Sequence, residues 1–139
     1  MNLSEINWFG VLLGSLSGFI LGALWYGPLF GKLWMAALGI TKDDAKKTSM
    51  GWLFAKSGVT YVVLGITIAI FINMIPSCCA EGYCCMQGAL IGGLIGLANT
   101  SNLVNNALYE MKSTKLMLIN GAYALLNGAL IGGVIGSFY

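Results

Sequence analysis

Four stretches of this chain contain no Asp, Glu, Lys or Arg: residues 6–27, 57–75, 86–109 and 116–139. At about 1.5 Å per helical residue, each is long enough to cross a hydrocarbon layer of about 30 Å. That layer holds no water to bond backbone N–H and C=O groups, so only helices and closed barrels cross it. The stretches are apolar throughout instead of alternating, and each exceeds the ~9–11 residues of a barrel strand, which selects helices. The shortage of charge argues against a water-soluble fold. Only 9% of residues are charged and 58% are hydrophobic, against about 25% charged in an ordinary soluble domain. The sequence therefore predicts an all-α integral membrane bundle, a single domain over residues 1–139. Its four transmembrane helices are expected at about 6–27, 53–75, 86–109 and 115–138, with an inner loop at 28–52 and an outer cysteine-rich loop at 76–85.

The lysines give this bundle an orientation. Lys32, Lys42, Lys46, Lys47 and Lys56 lie at or between the first two helices, and Lys112 and Lys115 lie between the last two. The remaining connection and both tails have none. Basic loops stay on the cytosolic side, which places both termini outside. Trp25, Tyr26, Trp34, Trp52 and Tyr109 then mark the inner boundary; Trp8, Tyr83, Phe138 and Tyr139 mark the outer one, as amphipathic rings favour the headgroup level. Lys56, just inside the second helix, is expected to snorkel to the inner surface. The only early charge is the acidic Glu5, so the N-terminal apolar run reads as a retained helix rather than a signal peptide.

Local punctuation refines the inner loop. Gly27-Pro28 is expected to end or kink the first helix. Leu29, Phe30, Leu33, Trp34 and Leu38 then fall largely on one face, which suits a short interfacial helix between helices one and two. Gly39 can stop it. Thr41 and Asp44 have the spacing of a capping box, with Asp in place of Glu. Pro76 is expected to close the second helix.

Glycine recurs every fourth residue at Gly10, Gly14, Gly18 and Gly22, at Gly88, Gly92 and Gly96, and at Gly128, Gly132 and Gly136. Residues four apart share a helical face, and a face without side chains lets another helix approach closely. These seams predict helix packing and, being so many, self-association or packing against other membrane subunits, with a compact monomer that satisfies them internally as the alternative. Nearly identical runs at 88–96 and 128–136 belong to antiparallel helices, which fits repeated packing needs better than a tandem repeat.

The inner half of the third helix carries Asn99, Asn102 and Asn106 on one face, and Asn120 and Asn127 lie on the fourth helix. Amides facing lipid are costly unless bonded. Two readings stay open, interhelical hydrogen bonds or a polar pathway for a small solute. Cys78, Cys79, Cys84 and Cys85 all fall in the outer loop, where disulfides, free thiols, or metal or acyl attachment are each possible; the spacing is not that of a zinc site.

Several classes of function find no residues here. There is no Arg and no His, and the net charge is only +2. Phosphate clamps, near-neutral acid–base chemistry and nucleic-acid binding all lack their usual groups. No nucleophile–base pair, metal motif or cofactor fingerprint is present, so an enzyme is not expected. A structural or accessory membrane protein is the first reading, with a small oligomeric channel or transporter as the alternative.

The run Leu21-Gly-Ala-Leu-Trp-Tyr-Gly-Pro-Leu-Phe-Gly-Lys-Leu-Trp-Met35, followed by Leu38-Gly-Ile-Thr41, resembles the opening of the domain of unknown function 1761 family. Asn106-Ala-Leu-Tyr-Glu110 and Leu118-Ile-Asn-Gly-Ala-Tyr123 are similar to later parts of the same family. The aromatic block at 25–32 is one residue shorter than the family's usual form, and the cysteine-rich loop is not part of its pattern. The resemblance implies a small four-helix membrane protein and brings no catalytic residue with it.

Overall fold

The computed structural model describes residues 5–41, 43–44, 49–75 and 84–139. It is all-α. Helix α1 (Trp8–Leu24) passes without a break into a π-helical turn (Trp25–Leu29), then α2 (Gly31–Leu38), α3 (Met50–Met74), α4 (Cys84–Tyr109) and α5 (Thr114–Gly136) follow. Among the described residues, three segments are long and apolar enough to cross a membrane: Trp8–Leu29, Gly51–Met74 and Thr114–Gly136. Helix α4 matches them in length, with 26 residues. The cluster of Asn, Thr and Ser at 99–106 lowers its hydropathy, which is why three such spans stand out rather than four.

Pro28 sits inside the π turn rather than ending the helix at Gly27. Proline has no N–H and its ring crowds the carbonyl four residues back. Widening the helix relieves both, and Phe30 N–H reaches back to the Trp25 carbonyl at 2.9 Å. The chain then turns into α2. Gly39, with φ of 69°, ends α2. Gly39 N–H donates to the Ala36 carbonyl and Ile40 N–H to that of Met35, the paired bonds of a Schellman stop. Thr41 and Asp44 cap each other: the Thr41 hydroxyl donates to Asp44 Oδ2 at 2.6 Å, and Asp44 N–H donates to Thr41 Oγ1 at 3.3 Å. Pro76 lies outside the described residues.

Helices α4 and α5 form an antiparallel hairpin with their backbones in contact. A β-carbon on Gly92 would collide with the Gly128 carbonyl oxygen, and one on Gly128 with that of Gly92. Gly88 and Gly132 meet in the same reciprocal way, Gly96 lies on Ala124, and Gly136 lies on Cys84. The echo at 88–96 and 128–136 thereby acquires a physical reason. Two equal runs in antiparallel helices face each other about a local two-fold axis, and each glycine finds a glycine or other small neighbour.

The apolar core gathers at one end of the bundle. Ile68, Ala69, Ile131 and Ile135 are fully buried there, with Val11, Ile72 and Cys84 beside them and Ile91 and Ile95 against them. The same end is tied by Tyr139. Its hydroxyl accepts from Asn7 N–H at 3.0 Å and from the Asn73 amide at 2.7 Å. At the opposite end, which carries Lys32, Lys112 and Lys115, Trp25 and Leu116 are buried but the described residues form no such cluster. The first half of α3 is bare, with Trp52, Leu53, Phe54 and Val59 all exposed. Lys56 is exposed as well, its ammonium resting 5.1 Å from the centre of the Trp52 ring. The bundle is thus closed at the cysteine end and open at the lysine end.

Candidate functional site

The π turn decides which side chains meet in the open half. It carries Trp25 and Tyr26 onto α5. Trp25 is buried and its indole N–H donates to the Ile119 carbonyl at 3.2 Å. Its ring lies 4.5 Å from that of Phe30 and 5.9 Å from that of Tyr123. The Tyr26 hydroxyl donates to Asn120 Oδ1 at 3.1 Å, and its ring stands edge-on to Tyr123 at 4.9 Å. The hydroxyls of Tyr61, from α3, and Tyr123 are hydrogen-bonded to each other. Gly22 makes this possible, since a β-carbon there would lie 2.8 Å from the Tyr123 hydroxyl and collide with that of Tyr61.

Asn120, Tyr123 and Asn127 occupy one face of α5 by their 3-then-4 spacing. They form a polar column running from the lysine end into the bundle. Its first two members are bonded to the π turn and α3, respectively. The last is not: Asn127 is only 4% exposed, and its Oδ1 has no hydrogen-bond partner among the described residues. That oxygen points at α1, 2.9 Å from where a Gly18 β-carbon would lie. On α1, Ser15 is buried with its hydroxyl shared between the Val11 carbonyl at 2.7 Å and the Tyr61 carbonyl at 3.2 Å. The column offers phenol hydroxyls, amides and one indole N–H, and no charged group. Its chemistry is neutral hydrogen bonding.

A buried carbonyl oxygen without a donor costs about 1–3 kcal/mol. Asn127→Leu keeps nearly the same outline and removes the orphan. It is expected to raise resistance to denaturant in detergent by about 1 kcal/mol. A loss of stability instead would mean that Asn127 is bonded in the native protein.

The residues singled out in the sequence fall into three groups. The ten glycines Gly10, Gly14, Gly18, Gly22, Gly88, Gly92, Gly96, Gly128, Gly132 and Gly136 are all buried within the one chain. Gly10 lies under Phe138, Gly14 under Ile135 and Gly18 under Ile131. These faces are filled internally. Asn99, Asn102 and Asn106 stand together but exposed on α4, and the structure does not bring Asn120 or Asn127 to them. The α4 residue that does bond to α5 is Thr100, whose hydroxyl donates to the Gly96 carbonyl at 2.9 Å and the Gly121 carbonyl at 3.0 Å. Cys84 is disulfide-bonded, Cys85 is an exposed free thiol, and Cys78 and Cys79 lie outside the described residues.

The aromatic members of the column escape a reading that treats Trp and Tyr only as boundary markers. Their signal is nonetheless present. Tyr61 and Tyr123 lie well inside charge-free stretches, and Tyr123 stands in register between Asn120 and Asn127.

An all-α chain with three membrane-length apolar helices around an uncharged polar column defines a class of architecture, not an activity. The chain belongs to the family described as Protein of unknown function (DUF1761), whose family profile matches residues 9–136. The match takes in the π turn, all of the column and the whole glycine-packed hairpin. No curated protein and no solved structure matches the chain.

Proposed function

We propose that this protein is an accessory subunit of a membrane assembly, working by association rather than by catalysis. It crosses the bilayer four times, with both termini on the outer side and the lysine-bearing loops on the cytosolic side. The charge-free stretches and the lysine distribution support that topology.

One observation carries the functional part. Asn99, Asn102 and Asn106 continue the face of α4 that packs Ile91 and Ile95 against the core, yet all three are exposed. Amides left facing acyl chains cost several kcal/mol each in the limit of no partner. A second copy of this chain or another subunit, laid against the open half of the bundle, satisfies them. The glycine seams do not serve this role, because each is occupied inside the chain. A small oligomeric channel is the second reading. It is favoured by the same stripe, which forms a polar path if copies surround it with water rather than cover it.

The test is gentle purification of the full chain in mild detergent, followed by mass measurement of the intact particle and identification of co-purifying chains. The expected result is a particle heavier than the 14.7 kDa single chain. A monodisperse monomer that retains its native helix content would overturn the accessory reading.

A further inference from the structure

We propose that the chain binds one anionic glycerophospholipid on the lysine-end flank of α5, where two clefts meet at Thr114. The first cleft, of about 500 Å³, lies between α2 and the start of α5 and is lined by Leu33, Ala36, Ala37, Ser113, Thr114 and Lys115. The second, of about 300 Å³, runs along the groove between α4 and α5, with Val104, Met117, Leu118 and Ala122 among its walls. Thr114 borders both.

The two clefts differ in chemistry in the way a phospholipid does. The first offers hydroxyls and an ammonium. Lys115 is exposed and has no ion-pair partner among the described residues. The Ser113 oxygen accepts from Leu116 N–H, which leaves its proton free to donate. A phosphate oxygen is the acceptor that suits these groups. The small side chains of Ala36 and Ala37 leave space over them for a glycerol unit, with Leu33 as an apolar wall.

The second cleft offers almost nothing polar. Of the two threonines that border it, Thr100 spends its hydroxyl on the Gly96 and Gly121 carbonyls, and Thr114 sits at the mouth. Gly121 also borders this cleft, and its missing side chain lets the Thr100 methyl lie against α5, 2.8 Å from where a β-carbon would be. From Thr114 to Ala122 the cleft descends about 12 Å along the helix, the direction an acyl chain takes from the headgroup level. Thr114 is also where the apolar span of α5 begins, so the polar cleft lies at the interface and the apolar one within the hydrocarbon. The site rests on the membrane-embedded reading given above.

The full chain in neutral detergent, titrated with phosphatidylglycerol or with phosphatidylcholine of the same acyl chains, tests the site by native mass spectrometry. One phosphatidylglycerol is expected to be retained in preference to phosphatidylcholine. Lys115→Gln is expected to weaken phosphatidylglycerol binding about fivefold, the worth of one lysine at an anionic surface. Ala122→Phe, at an exposed position, fills the groove and is expected to weaken both lipids. Inorganic phosphate, which has no acyl chain, is expected not to displace the lipid. Equal retention of the two lipids, no effect of Lys115→Gln, or displacement by phosphate alone would each overturn the site. A protein that partitions into bilayers yet shows no such preference defeats this site only; failure to partition defeats the membrane reading itself.

Discussion

Gly92→Leu is expected to unfold the hairpin of α4 and α5, with a loss of at least about 3 kcal/mol, at the upper end of what overpacking costs. The position has no slack. The atom that a β-carbon would strike is the Gly128 carbonyl oxygen, part of a backbone that cannot rotate away as a side-chain tip would. Relief requires the two helices to separate, and separation also parts Gly88 from Gly132 and Gly96 from Ala124. Dispersion and close backbone contact hold helices together where the solvent is itself apolar, so a gap along the whole seam removes the main attraction. The matched control is Gly58→Ala, where no described residue of another element lies within 4 Å of the added carbon. There the gain in helix propensity makes a rise of about 0.5–1 kcal/mol the expected result. Unfolding of both variants in mixed micelles, followed by tryptophan fluorescence, measures the contrast. Equal midpoints for Gly92→Leu and the unaltered chain would show that the two backbones do not touch.

Replacing Asn99, Asn102 and Asn106 together by leucine is expected to reduce the purified particle to single chains, with the fold intact. Each side chain is exposed, so none supports the interior of its own chain. Leucine is also at home against acyl chains, where an unbonded amide is not. The substitution therefore favours the separate chain and removes the reason to associate. Interhelical amide bonds contribute roughly 1 kcal/mol or less apiece. Three lost from a shared interface change its dissociation constant by about two orders of magnitude. Retained near-ultraviolet circular dichroism from Trp25 and its tyrosine neighbours would report that the fold survives. An unchanged particle mass would place the contact elsewhere. A particle of unchanged mass that has lost solute flux in vesicles would favour the channel reading.

Much of this fold is legible in the residues because long apolar helices obey simple demands. Charge-free length locates the helices. The four-residue glycine spacing locates the faces where backbones meet, and the matching runs at 88–96 and 128–136 even encode their antiparallel register. Capping chemistry is equally local, as Gly39 and the Thr41–Asp44 pair illustrate. What the residues do not disclose by spacing alone is which seam meets which helix. The glycine seams allow packing within the chain as well as against other chains, and in this structure the named glycines are buried within the one chain. The polar column is a similar case. Asn120 and Asn127 share a face with Tyr123 by arithmetic, but that Tyr26 reaches Asn120 depends on the widened turn around Pro28. A hydrogen-bond register altered inside a helix leaves no periodic trace. The exposure of Asn99, Asn102 and Asn106, on the same face as the core-packed Ile91 and Ile95, is likewise a tertiary fact.

The uneven distribution of the core has a mechanical corollary. Near Ile68 and Ile72 helix α3 is gripped by its neighbours, while toward Trp52 it touches chiefly α1, through Phe54 and Tyr61 against Phe19. A rod held at one end behaves as a lever with its fulcrum at the grip. A tilt of a few degrees there leaves the isoleucines seated and sweeps Trp52 sideways by several times the displacement at the fulcrum. Force delivered to α3 near Trp52 would accordingly be felt first as a parting of Phe54 from Phe19, and only then at the Tyr61 and Tyr123 hydroxyls.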